Sequence, residues 1–451
     1  MYLGPVNRSH PPEVSSMRRS LVSVALAASA ALVLASCAMP ADDPNFNASG
    51  GAFGSEAAAE EQAATDATGA VEAALAAPTS IGVDAPLSAA PAAGSLIVSL
   101  SDGTPWNTLL NESMAAAAAA IGWEFQEVAG AETVESVPAA FEEALALEPA
   151  GIRISGEHVE ALATQLVDAE AAGIPVICTG CSGEPTGAIK DTSIDGDAQN
   201  AEWGKVLAEY VFTNQAAGED AGVEMFTLPA PAITTFNFEF AGNLTTLCRE
   251  CSTNETPLDT SDLSLVPTFI GDTMSTTLGR WALLDSGAVA EGVSQALAEA
   301  LVLEPIVLIG RGAAAADIAA LQELAASGIT APAADGAADT ASAEASPEAA
   351  AEATGEAAVD AGGEVLVEGA FATPEEAAAL QAWTGLPVPV MGWRVIDQFA
   401  RVLGGDPLAD GPLPSQLITI ANAADVVLDE NGNYIGIADY QDQFAALWGA
   451  P

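Results

Sequence analysis

From residue 95 onward the sequence alternates short apolar runs, rich in Val, Ile and Leu, with longer helical stretches, and the alternation begins again after residue 218. Runs at 96–100, 123–128, 151–155, 174–177 and 188–194 read as strands. Between them lie helical stretches at 106–121, 134–147, 158–172 and 198–214, the third closed by Gly173. In the second series, strands are expected at 223–228, 253–256, 306–309, 364–367 and 387–390. Helices are expected at 233–247, within 278–303, at 313–326, from Thr373-Pro374 onward and at 393–403. Thr373 offers an N-cap, and Pro374 suits the first turn. Strands alternating with helices build βαβ units, whose parallel sheets are covered by helices on both faces. At 451 residues the chain is also longer than one hydrophobic core usually serves. The expected fold class is α/β, with two Rossmann-like lobes at 95–215 and, mainly, 216–451. A ligand belongs in the cleft between them, at the carboxyl ends of the strands.

The segments around this pattern obey other rules. Met17-Arg18-Arg19 opens a basic segment, residues 21–35 are apolar, and the run ends in Leu34-Ala35-Ser36-Cys37. This order describes an export signal too short to span a bilayer stably. Residues 1–16 precede it, and Met17 is the expected start. The ending resembles a bacterial lipobox, which implies diacylation of Cys37; two acyl chains suffice for stable anchoring. A plain secretory signal with a chance Cys is the other reading. From 38 to 94, and again from 330 to 363, the chain carries Ala, Gly, Pro, Ser and acids without a Lys or Arg. Such composition does not offset its ordering entropy. The first tract therefore reads as a disordered acidic tether and the second as a low-complexity insertion. Across the chain 62 Asp and Glu stand against 11 Lys and Arg, a net charge of −51. That charge excludes nucleic acid as a partner and docking of the folded part on anionic lipid.

Several motifs recur in one order along the chain. A strand leads into Ser101-Asp102-Gly103, followed by the aromatic-Asn pair Trp106-Asn107. Ala-Gly-Ile-Pro-Val follows at 172–176, then Ala372-Thr373-Pro374-Glu375, then Gly392-Trp393 opening a helix, and finally Leu413-Pro414-Ser415-Gln416-Leu417. With the lipobox and the two-lobe grammar, this order resembles the type I periplasmic binding proteins, specifically the sugar-type solute-binding lipoproteins of ABC importers. The resemblance covers most of 95–451. It implies two lobes joined by three crossovers, hinge closure around a small polar ligand, and an ABC permease as partner. It places the chain on the outer face of the cytoplasmic membrane, held by its lipid anchor. It also implies ligand contacts from Asp102, Trp106 and Asn107 after the first strand and from Cys178 and Thr179 at the end of the fourth. From the second lobe it implies Pro231, Arg311, Phe371 and Trp393. Phe236 and Asn237 stand where the family carries an Arg, and Ala372 stands where it carries an acid. Aromatic faces for the apolar side of a sugar, with carboxylates and amides for its hydroxyls, are the expected chemistry.

The same residues have plainer readings. Trp106 and Trp393 serve equally well as core residues, and Arg311 as a solvated loop residue. Cys178-Thr-Gly-Cys181 and Cys248-Arg-Glu-Cys251 could form a zinc site or a redox dithiol. The proposed lobes separate the two pairs, and outside the membrane a disulfide within each pair is the simplest account. Catalysis has little support. His158 reads as a surface residue at a helix start, no nucleophile elbow or phosphate loop occurs, and no metal or cofactor is implied. The expected function is solute binding without bond chemistry. A sensory receptor of the same fold and an extracytoplasmic thiol–disulfide protein are the rivals.

Overall fold

The computed structural model describes residues 53–215, 221–300, 305–330 and 373–449. The export signal with Cys37, the expected strand at 364–367, Phe371 and Ala372, and the insertion at 331–363 lie outside the described residues.

After a leading helix, α1 (Phe53–Leu75), the first series runs β1 (Leu96–Ser101), α2 (Pro105–Ala120), β2 (Glu124–Ala129), α3 (Val137–Ala146) and β3 (Gly151–Ser155). It continues through α4 (Ala163–Ala172), β4 (Val176–Thr179) and β5 (Ile189–Asp191). The strands form one parallel sheet in the order β2-β1-β3-β4-β5. Alternation puts Val98, Leu100, Ile152, Ile154 and Val176 on one face, against Phe141 and Leu162. Ile97 and Ile177 point the other way, toward Leu110 and Met114 of α2.

The second series is α5 (Asp197–Asn214), β6 (Val223–Thr227), α6 (Pro231–Leu247), β7 (Thr253–Pro257), α7 (Val266–Met274), β8 (Trp281–Leu284), α8 (Val293–Glu299), β9 (Val307–Arg311) and α9 (Ala315–Ala326). It closes with α10 (Pro374–Ala379), β10 (Ala382–Thr384), α11 (Val388–Gly404), β11 (Leu417–Thr419) and α12 (Tyr440–Trp448). Its sheet has the order β11-β10-β9-β8-β6-β7, parallel except for β10 with β11. Thr373 caps α10 as its sequence promises: its side chain accepts from Glu376 N, and Glu376 reaches back to Thr373 N.

Three expectations change. The expected helix within 278–303 is instead the loop before β8, the strand itself and the short α8. Trp281-Ala-Leu-Leu is a brief apolar run whose period does not separate helix from strand, and pairing with β6 and β9 decides it. The expected strand at 387–390 is the first turn of α11, and the strand lies earlier, at β10. This helix also changes lobes: it packs on α2, and Phe399, Ile396 and Val395 join the core around Ile97 and Ile177. The approach is close, because a Cβ on Gly392 would sit 2.7 Å from Ser113 Cβ. Helix α5, inside the expected boundary at 215, packs on α6 in the second lobe.

From β1 onward the chain therefore passes between the lobes after β5, after β10, before β11 and after β11, where the resemblance implied three crossings. The added passage brings α12 back to the first lobe. Tyr440, Phe444 and Trp448 recur every fourth residue, forming one apolar stripe on the helix. Trp448 stacks on Trp393 at 5.3 Å between ring centres.

The expected tether is ordered over its C-terminal part. Its Ala-rich composition, read as low complexity, is also the best helix-forming composition available. In α1 the buried Val71, with Ala74 and Leu75, lies against the second lobe. Ile81 and Val83, among the few branched residues of the tract, are buried in the first-lobe core.

Candidate functional site

In the first lobe the polar groups gather at the carboxyl ends of β1, β3 and β4. Leaving β1, the chain turns through Asp102-Gly103-Thr104. Asp102 Oδ1 accepts from Thr104 N at 2.9 Å and from Thr104 Oγ1 at 2.8 Å. Thr104 in turn caps α2, accepting from Asn107 N at 3.2 Å, and Pro105 occupies the first helical position. The turn thereby fixes Trp106 and Asn107 in the first turn of the helix.

Beneath them lies a residue whose place in an apolar strand does not by itself name a role at the site. Arg153, in β3, is fully buried. Its Nη1 donates to Asn107 Oδ1 at 2.6 Å and to Leu100 O at 3.3 Å. Nη2 donates to Thr179 Oγ1 at 2.6 Å and Ser155 Oγ at 3.0 Å, and Nε to Thr179 Oγ1 at 3.1 Å. All these acceptors are uncharged. The half-buried Trp106 ring covers the guanidinium at 5.6 Å from its centroid. Burial lowers the Arg153 pKa to about 10, opposed by the charges of Glu157 and Asp102. Asp102, Trp106, Asn107 and Thr179 are thus brought together around one cation.

His158 belongs to the same end of the lobe and is not a surface residue. It is 4% exposed, in a single helical turn ahead of α4, which begins only at Ala163. Its Nε2 lies 3.6 Å from Glu157 Oε1, and Nδ1 has no hydrogen-bond partner. Burial, then the Arg153 charge, pushes its pKa down to about 4. Beyond Thr179 the structure joins Cys178 to Cys181, and in the second lobe Cys248 to Cys251.

The second lobe is built differently. Asp285 follows β8 and is fully buried. Its Oδ2 accepts from Leu228 N at 2.8 Å and from Asn237 Nδ2 at 3.0 Å, whereas its Oδ1 and Asn237 Oδ1 have no partner. Burial raises the Asp285 pKa to about 6, against the two hydrogen bonds and the nearby charge of Arg311. Arg311, at the end of β9, is buried rather than solvated. It forms an ion pair with Asp195 through Nη2, and its Nε donates to Asn200 Oδ1 at 2.6 Å. Asp195 lies in the passage from β5 to α5, with the left-handed φ of 55° that Asp tolerates better than most residues. Arg311 therefore ties the second sheet to a crossing between the lobes.

Pro231 stands exposed at the start of α6. A groove of about 740 Å³ runs beside it, between α6 and the edge strand β7, and its lining includes Thr227, Asn237, Phe238 and Glu255. Trp393 joins none of these groups. It lies in the first-lobe core, stacked on Trp448 and edge-on to Tyr440. Asp285 has no clear signal in the sequence, because the apolar run before it, Trp281–Leu284, is too short for its period to separate strand from helix. Arg153 carried a usable signal, a lone charge between Ile152 and Ile154 in a run otherwise fit for burial. Among the described residues no group of His, Cys, Asp and Glu is arranged to hold a metal ion, and no helix is long and apolar enough to cross a membrane.

Two α/β lobes crossed several times by the chain, with polar side chains collected at the carboxyl ends of both sheets, define a two-lobed α/β architecture. No protein-family model and no curated protein matches the sequence. Solved structures do match its fold. An ABC transporter solute-binding protein from Mycobacterium smegmatis with bound glycerol is 14% identical, with a TM-score of 0.54, over 75% of this chain and 98% of that one. The Caulobacter myo-inositol binding protein is 15% identical, with a TM-score of 0.53, over 73% and 94%. An ABC sugar transporter subunit from Rhodobacter sphaeroides is 14% identical, with a TM-score of 0.52, over 72% and 98%. The chain has the fold of the type I periplasmic binding proteins.

Proposed function

We propose that this protein is an extracytoplasmic receptor for a small polyhydroxyl solute, a sugar or polyol, which it binds between its lobes and delivers to an ABC permease. The observation that carries this reading is the first-lobe cluster, in which Arg153 holds Asn107 and Thr179 by hydrogen bonds and lies under Trp106, while Thr104 fixes Asp102 in the same loop. An aromatic face beside carboxylate, amide and hydroxyl groups is a surface suited to a sugar ring. The structural neighbours bound to glycerol and to myo-inositol support the ligand class. Hinge closure, with no bond made or broken, is the mechanism, and it presents the permease with a form unlike the empty one. Diacylation of Cys37 after export would hold the receptor at the outer face of the cytoplasmic membrane.

A thermal-shift panel of sugars, polyols, nucleosides and amino acids on the chain from residue 38 tests this reading. Residue 38 is the right start, because a chain begun at 95 would lack Ile81 and Val83 from the first-lobe core. A ligand at a thousand times its dissociation constant adds about 4 kcal/mol, a shift of several degrees. A sugar or polyol hit that weakens on Trp106→Ala is the expected result. A folded, ligand-free protein that answers none of the sugars or polyols would sink the proposal.

A further inference from the structure

The arm before β1 touches both lobes, each through contacts of its own. In α1 the side chains of Val71, Ala74 and Leu75 pack into the second-lobe core. Its last turn is held there by Asn422 Nδ2, which donates to Leu75 O at 3.0 Å. Six residues later the chain is fixed to the first lobe. Arg394 Nη2 donates to Ile81 O at 2.6 Å, and Arg401 Nη2 to Ala85 O at 2.7 Å. Leu87 N donates to Leu447 O at 2.9 Å, Ser88 N to Asp406 Oδ2 at 3.1 Å, and Trp123 Nε1 to Ala92 O at 2.8 Å.

These contacts answer a need of the lobe itself. Arg394 and Arg401 are each 2% exposed, and buried guanidinium groups require acceptors. The arm supplies two of them. Gly82 shows how closely it is seated: its φ is 72°, and a Cβ there would stand 1.9 Å from Pro412 O. Between the two anchorages lie only residues 76–80, Ala-Ala-Pro-Thr-Ser. Fully extended they reach at most about 18 Å. They run beside the last crossing, where Pro78 would lie 3.2 Å from a Cβ on Gly436.

We propose that this arm is a brace across the hinge: a covalent tie, anchored on both lobes and short between its anchors, that limits how far the lobes separate. The brace rests on the two-lobed fold and not on the identity of any ligand. Opening beyond the reach of 76–80 requires α1 to leave the second lobe or the strap to leave the first, which would cost Arg394 and Arg401 one acceptor each.

The test is an interlobe distance distribution measured by electron paramagnetic resonance. Spin labels go on Glu143→Cys in α3 and Glu323→Cys in α9, both exposed positions, in a chain carrying Cys37→Ser. Lengthening 76–80 with a flexible Gly-Ser segment leaves both sets of contacts in place. The expected result is a broader distribution that gains longer distances, with a smaller fall in melting temperature than deletion of residues 53–94 causes. Replacing Ala76, Ala77, Thr79 and Ser80 by Gly or Ser at unchanged length should leave the distribution as in the parent. An unchanged distribution in the lengthened chain, or equal broadening at unchanged length, would overturn the brace. Because the readout needs no ligand, failure of the solute-binding reading would show separately, in the thermal-shift panel.

Discussion

The two lobes each bury one arginine at the carboxyl end of their sheet, and they stabilise it by different means. Arg153 gives its hydrogen bonds to an amide, two hydroxyls and a backbone carbonyl, none of them charged. Arg311 is paired with the carboxylate of Asp195. A cation spread over neutral acceptors orders several side chains at once and leaves its charge as a field at the surface above it. A cation bound to one acid is largely cancelled and serves to fix a position. The first arrangement suits the floor of a binding surface and the second a joint. This division agrees with their places, Arg153 beneath the ends of three strands and Arg311 against the passage from β5 to α5.

The largest effect should come from the joint. Asp195→Asn keeps an acceptor and tolerates a positive φ, but it leaves the buried Arg311 without its ion-pair partner. Losing one partner of a buried ion pair costs about 3–5 kcal/mol, and chemical denaturation should register a loss near the lower end. The matching change in the other lobe is Thr179→Val, which removes one neutral acceptor and should cost about 1–3 kcal/mol. Equal losses would mean that the charged and the neutral modes hold their arginines equally strongly.

A second contrast lies in two titrating groups that respond oppositely to pH. His158, near Arg153, is held neutral with its pKa lowered to about 4. Between about pH 4 and 6.5 the unfolded chain binds a proton that the folded one refuses, so stability rises with pH. Asp285, in the second lobe, has its pKa raised to about 6. From about pH 4 to 6 the folded chain holds a proton that the unfolded one has lost, so its contribution falls as pH rises. At about 1.4 kcal/mol per pKa unit, each amounts to about 3 kcal/mol. Asp317, also raised to about 6 by burial, acts in the same direction as Asp285. Urea titrations at several pH values should show Asp285→Asn gaining on the parent as pH rises through this window. His158→Gln should gain on it as pH falls. Parallel curves for either variant would remove that residue from the comparison.

What the sequence made legible follows the same physics. The strands β1, β3, β4 and β9 are readable because each is a short run rich in branched apolar residues within an alternation of strands and helices. The apolar runs at β8 and at 387–390 were misread because so short a stretch carries no period, and neighbouring strands decide its state. That single ambiguity hid Asp285 and moved Trp393 from a cleft to a core. His158 looked exposed because a helix was begun there, whereas the chain first makes one buried turn. The arm was missed for another reason. Composition reports the mean tendency of a tract, while its order depends on Ile81, Val83 and two arginines more than 300 residues away. The polar first-lobe site was partly legible, since Asp102, Trp106 and Asn107 follow from one turn. The cation that organises them could be located only once β3 was seen beside β1 and β4.

The smallest change in stability and the sharpest change in binding are expected at Trp106. Its ring covers the Arg153 guanidinium and also lies against the first-lobe core. Trp106→Leu keeps an apolar side chain over the core but loses the aromatic face. A cation–π contact of this kind contributes about 0.5–2 kcal/mol, so unfolding should shift by about 1 kcal/mol. A sugar or polyol stacked on the ring should lose affinity by about tenfold or more, the equivalent of about 1.4 kcal/mol. Calorimetric titration with the ligand found by thermal shift reads the second number, and denaturation reads the first. A variant that loses stability while its affinity stays at the parent value would make Trp106 a cover for the cation alone. The difference between the lobes would then lie in how they are built rather than in what they bind.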